Sequence, residues 1–71
     1  MTTLTIQVNG EQRSLDAEPP TLDTVVQQLG HHPKLVVVEF NGLIITPERW
    51  TSQTVQNGDN LEIVTIVGGG S

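Results

Sequence analysis

A chain of 71 residues is one domain, and at that size folding buries only about 60% of the surface an unfolded chain exposes, which leaves room for one compact core and not for a deep enclosed substrate pocket. The absence of cysteine excludes disulfides, thiolate metal sites and a thiol nucleophile. Eight acidic residues against three basic ones give a net charge of −5, and Arg13, Lys34 and Arg49 stand scattered among acids, a distribution unsuited to a nucleic acid backbone; the charge suits a basic protein partner through steering, or serves solubility alone.

The N-terminus, Met1-Thr2-Thr3-Leu4-Thr5-Ile6, has neither the basic segment nor the continuous apolar stretch of a signal peptide. No apolar run approaches the roughly 20 residues that span a membrane, so a cytoplasmic location and no membrane partner are expected.

Leu4, Ile6 and Val8 alternate with Thr3, Thr5 and Gln7, the period-two pattern of a half-buried strand. Asn9-Gly10 is the preferred pair for a turn in which both central residues take positive φ, and a weaker strand over about 12–16 completes a hairpin. Pro19-Pro20 breaks the pattern. Thr21 caps a helix and Asp23 sits in its first turn, where the dipole favours an acid. Leu22, Val25, Val26 and Leu29 then fall on one helical face. Gly30 and Pro33 stop this helix of two to three turns, which is too short to persist without packing on a sheet.

Residues 35–40 read as an apolar strand, Asn41-Gly42 as a second turn and 43–45 as a short return strand. Thr46-Pro47-Glu48-Arg49-Trp50 reads as a capped single turn, since proline is tolerated at the first helical position. Asn57-Gly58-Asp59 makes the last turn before a final strand over 61–67. One helix with one apolar face must cover one face of a mixed sheet. The expected class is therefore α+β, with a four- to five-stranded mixed sheet packed on one short helix, as in the β-grasp fold of ubiquitin-like proteins. The domain is expected over 1–67, with 68–71 as a flexible C-terminal glycine tail.

Gly68-Gly69-Gly70-Ser71 cannot form a helix or a packed strand, because glycine loses the most entropy on ordering. Lacking Cβ atoms, the glycines can thread a channel too narrow for other residues and carry a terminal carboxylate into a partner's active site. That carboxylate is ionised at neutral pH, with an ordinary pKa of about 3.5, and can attack the α-phosphate of ATP. Two plainer readings stand beside this one: a frayed glycine end and a unit of flexible linker. No Gly-Lys-Ser/Thr and no helix follow the glycines, so they are not a phosphate-binding loop.

The segments Phe40-Asn41-Gly42-Leu43-Ile44-Ile45-Thr46-Pro47-Glu48-Arg49-Trp50 and Asn57-Gly58-Asp59-Asn60-Leu61-Glu62-Ile63-Val64, running into Val67-Gly68-Gly69-Gly70, resemble the ThiS family of small sulfur carriers of thiamine thiazole biosynthesis. The likeness covers nearly the whole chain and extends more loosely to the MoaD family of molybdopterin synthesis. It implies a β-grasp fold and a cosubstrate rather than an enzyme. It implies further that an E1-like (ThiF-like) enzyme adenylates the terminal glycine with ATP, that a sulfur donor protein converts it to a thiocarboxylate, and that thiazole synthase (ThiG-like) consumes the sulfur. Gly70 would be the modified residue, with Gly68 and Gly69 threading the partner's active site and no cofactor bound to the carrier itself. Family members end in glycine, whereas this chain ends in Ser71. Either Ser71 is removed, or it is extraneous, or the partner tolerates it. Besides the molybdopterin-type carrier, a ubiquitin-like interaction module without tail chemistry remains as a further reading.

Strand parity adds a docking surface. Glu39 and Glu62 must point to solvent, so Val37 shares the outer face of its strand and Val64 and Ile66 share that of theirs. If those strands are neighbours, Val37, Val64 and Ile66 form an exposed apolar patch leading to the tail. His31-His32, without cysteine or a nearby acid, is not expected to bind metal. Trp50 is expected to plug the edge of the core rather than anchor a ligand, and no Ser/His/Asp arrangement stands out.

Overall fold

A computed structural model describes residues 2–66. Strands β1 (Thr3–Val8) and β2 (Glu11–Asp16) form the first hairpin, helix α1 (Leu22–Gln28) follows, β3 (Val36–Phe40) and β4 (Leu43–Ile45) form the second hairpin, and β5 (Asn60–Thr65) comes last. Three-residue and six-residue 3-10 segments cover Pro33–Leu35 and Pro47–Ser52. The strands lie in the order β2-β1-β5-β3-β4. Only the β1–β5 pair is parallel, so the sheet is mixed and has five strands.

Alternation sets the two faces. Leu4, Ile6 and Val8 of β1, Val36, Val38 and Phe40 of β3, and Leu61 and Ile63 of β5 are buried beneath Leu22, Val25 and Val26 of α1. Thr21 caps the helix, its Oγ1 accepting from the Thr24 N–H at 3.4 Å, and Asp23 lies in the first turn. Leu29 is the C-cap, partly buried against the core, and Gly30 follows at φ +89°. No polar or charged residue is buried among the described residues, so no ionisable group sits in the interior where a solvent-excluded catalytic site would need one. No helix among them is long and apolar enough to cross a membrane.

Three details differ from the sequence expectation. The last strand, expected over 61–67, runs Asn60–Thr65, and Ile66 lies just beyond it. Leu35 belongs to the 3-10 turn, because Pro33 holds the first position of that turn and β3 begins only at Val36. Thr46 does not cap the Pro47–Ser52 segment with its side chain. The Glu48 carboxyl is held below its ordinary range by hydrogen bonding from its own backbone N–H first and from the Thr46 hydroxyl second.

Three Asn-Gly pairs do more than turn the chain. Asn9 and Gly10 take φ 52° and 83°, and Asn41 and Gly42 take 51° and 89°, the geometry of turns in which both central residues are left-handed. The Asn9 amide then reaches across to β5, accepting from the Ile63 N–H at 2.7 Å and donating to the Ile63 carbonyl at 3.1 Å. It acts as a surrogate peptide group and extends the short β1–β5 ladder beyond Val8↔Leu61. From the opposite side Asn41 Oδ1 accepts from the Asn60 N–H at 2.9 Å. Asn57 Oδ1 accepts from the Thr5 N–H at 2.8 Å and seats the last turn on β1. The strand that leads to the C-terminus is thus gripped from both neighbours by side chains of tight turns. Asn9→Gly keeps the positive φ but removes both bonds to Ile63, and should cost about 2 kcal/mol, read as a lower urea midpoint with an unchanged slope.

Candidate functional site

The face of the sheet away from α1 carries two different surfaces. On β1 and β2 it is polar, and its groups bond to one another: the Thr3 hydroxyl donates to Asp16 Oδ1 at 2.8 Å, and the Thr5 and Ser14 hydroxyls lie 3.1 Å apart. On β3, β5 and β4 it is apolar apart from Glu39 and Glu62. Val37 pairs directly with Val64, and the Ile66 N–H donates to the Leu35 carbonyl at 2.7 Å, which sets Ile66 beside Leu35 one step further along. Val64 is 62% exposed, Ile66 50% and Val37 38%. The three residues expected from parity are therefore together on one open surface, on β3, β5 and the segment that continues β5.

Two further residues enlarge the patch. Leu35 and Ile44 are both more than half exposed, and Ile44 stands across β3 from Glu39. Ile44 was available from the sequence, since a two-residue Asn-Gly turn pairs 40 with 43 and hence 39 with 44. Leu35 shares the odd parity of Val37 and Glu39. The stripe thus runs from Leu35 and Ile66, through Val37 and Val64, to Glu39 and Glu62, which face each other across β3 and β5, with Ile44 alongside. Contiguous exposed apolar surface of this kind makes the stripe a candidate contact surface.

The stripe points toward the chain end, because Ile66 is the last described residue of the segment that continues β5. Val67, Gly68, Gly69, Gly70 and Ser71 lie outside the described residues. Gly70 is four positions beyond Ile66, and four residue steps span at most about 14 Å.

The other candidates fall into structural roles. His32 Nδ1 accepts from the Lys34 N–H at 3.1 Å, and no group of three His, Asp or Glu side chains is placed to hold a metal among the described residues. Trp50 is 1% exposed and its Nε1–H donates to the Ile45 carbonyl at 2.8 Å, so it fills the core edge. A shallow open hollow beside α1 is lined by Glu18, Asp23, Thr24, Gln27 and Gln28. There Gln27 Nε2 donates to Asp23 Oδ2 at 3.1 Å, and no histidine, cysteine or lysine lines the hollow.

A mixed five-stranded sheet of this order, crossed on one face by a single helix, is the β-grasp fold, and the chain is by class a small ubiquitin-like domain. The structure resembles that of a thiamine biosynthesis protein, ThiS, from Geobacter metallireducens, with a TM-score of 0.76 and 28% identity, covering 94% of this chain and all of that one. The model of the ThiS family matches residues 6–70. The chain belongs to the ThiS family. Among sequence relatives, a thiazole synthase of Paramagnetospirillum magneticum is 38% identical over 64 residues, which cover 90% of this chain but 19% of that protein. The chain thus spans about a fifth of the length of that relative. An uncharacterized protein, ycf40, of Trieres chinensis is 33% identical over 69 residues, covering 97% of this chain and 93% of its own length.

Proposed function

We propose that this chain carries sulfur for thiazole formation in thiamine biosynthesis, acting in the cytoplasm as a protein cosubstrate rather than as an enzyme. Once the Gly70–Ser71 peptide bond is hydrolysed and Ser71 leaves, the freed Gly70 carboxylate attacks the α-phosphate of ATP in an E1-like adenylating enzyme, forming an acyl-adenylate and releasing pyrophosphate. The terminal sulfur of a donor-protein persulfide then attacks the carbonyl and displaces AMP; a second thiol cleaves the S–S bond of the resulting acyl disulfide, forming a disulfide with the donor sulfur and leaving a glycyl thiocarboxylate that thiazole synthase uses. ATP is bound by the enzyme and not by the carrier. Gly68 and Gly69 thread the enzyme's channel, while Val37, Val64 and Ile66, extended by Leu35 and Ile44, dock on its surface.

The observation that carries this reading is the apolar stripe on β3 and β5 running toward the tail. Docking there places an active site within about 14 Å of Ile66 in reach of Gly70. The family match ends on Gly70, one residue before Ser71, which favours Gly70 as the modified residue. The thiazole synthases with a region similar to this chain favour the thiazole pathway over molybdopterin synthesis.

Intact mass spectrometry tests the chemistry directly. Chains ending at Ser71, Gly70 and Val67 are each incubated with the host's adenylating enzyme, ATP and a sulfur source. The Gly70 form should gain the mass of one oxygen replaced by sulfur, and the Val67 form should not. Modification of the Ser71 form as well would mean that serine is tolerated. If an enzyme active on another carrier leaves all three unmodified, the carrier reading fails and an interaction module without tail chemistry takes its place.

A further inference from the structure

The end of the stripe farther from the tail carries a feature that packing does not explain. Glu39 and Glu62 face each other directly across β3 and β5, and both side chains are exposed. Directly opposed like charges, with Cβ atoms about 5 Å apart, destabilise a sheet. No cation of this chain shares their strands: Arg13 is on β2, Lys34 in the turn before β3, and Arg49 in the Pro47–Ser52 segment. The register neighbour across from Glu39 on the other side is Ile44. The isolated chain therefore keeps an unfavourable pair beside its apolar docking stripe.

The same pair narrows what can cover the stripe. A second copy packed face to face by a two-fold axis would set Glu39 and Glu62 against their own counterparts or against the apolar Leu35–Ile66 end. The first arrangement gathers four carboxylates and the second buries charge against hydrocarbon, and both are costly. A partner with a cation opposite the pair turns the repulsion into attraction. A guanidinium is the best fit, because its planar fork presents several donors and can serve two carboxylates at once.

We propose that the adenylating enzyme places an arginine between Glu39 and Glu62 when it covers the Leu35–Val37–Val64–Ile66 stripe, so that the glutamate pair selects the enzyme and excludes self-association. This rests on the carrier reading above. The pair lies away from the tail and does not touch the reacting carboxylate. It acts on capture of the carrier and leaves the chemical step alone.

The test is the adenylation kinetics of the Gly70-ending chain and of its Glu39→Gln/Glu62→Gln variant, with the adenylating enzyme and ATP, followed by pyrophosphate release. The variant should melt no lower than the parent, because the cross-strand repulsion is gone. Its KM for the carrier should nevertheless rise at least about tenfold with kcat unchanged. That gap should narrow toward about 1 M salt, where the screening length falls to about 3 Å. An unchanged KM in a parent that is adenylated overturns the arginine contact and leaves the carrier reading standing. A Gly70-ending parent that is not adenylated at all overturns both. Concentration-dependent dimerisation of the parent in sedimentation, with KM unchanged in the variant, assigns the face to a second copy and also overturns the proposal.

Discussion

Val64→Asp/Ile66→Asp should raise the KM for adenylation of this chain roughly a hundredfold or more while leaving kcat and the fold nearly unchanged. Val64 and Ile66 are 62% and 50% exposed in the free chain, so replacing them removes little core packing. Exposed substitutions of this kind usually alter stability by less than about 0.5 kcal/mol. The apolar area they offer to a partner is lost completely, at about 1.5 kcal/mol or more for each side chain. Together that is about 3 kcal/mol, or about two orders of magnitude in affinity. Two new carboxylates beside Glu62 would also have to be desolvated on contact. Gln12→Asp, on the polar half of the same face, is the matched control. It adds a charge without removing apolar surface, and KM should move by less than about twofold. A folded double variant with the parent's KM would show that the stripe is not where the enzyme docks.

The legible part of this structure is the part governed by local rules. Alternation placed Leu4, Ile6 and Val8 inside. The requirement that Glu39 and Glu62 face water placed Val37, Val64 and Ile66 outside without any knowledge of the partner strand. The left-handed Asn9-Gly10 and Asn41-Gly42 pairs marked both hairpins. What those signals do not carry is sequence-distant pairing. The bonds from Asn9 to Ile63 join residues 54 positions apart, and nothing local distinguishes an asparagine that only turns the chain from one that also clamps a strand. The facing of Glu39 and Glu62 likewise depends on the antiparallel β3–β5 register, so each acid alone reads as ordinary solvated surface. At Thr46 a local rule misled. A cap-like residue before proline was available, but its side chain makes no cap hydrogen bond.

Trp50→Ala should bring the domain close to unfolding, with a loss of about 4 kcal/mol. A chain of this length is stabilised by only about 4–10 kcal/mol in all, so the variant would retain a small margin or none. The indole is 1% exposed, sits on the 3-10 segment that packs against α1, and donates to the carbonyl of Ile45 at 2.8 Å. It therefore joins three things: the helix, the segment after β4, and the end of β4 itself. Nothing large stands nearby on the same segment to refill the space, since the 3-10 segment's only buried residue is Trp50. Trp50→Phe separates volume from the hydrogen bond. It keeps much of the ring volume but removes the indole donor to the Ile45 carbonyl, and should cost about 1 kcal/mol beyond the loss of ring volume. Urea denaturation reads both variants as midpoint shifts with similar slopes. Because Ile45 adjoins Ile44 at the rim of the docking stripe, Trp50→Phe assayed well below its melting temperature should also show whether that rim contributes to capture. A rise in KM of about twofold or more would mean that the indole holds Ile44 in place for the partner. An unchanged KM would confine Trp50 to holding the fold, and would leave Val37, Val64 and Ile66 as the residues on which docking depends.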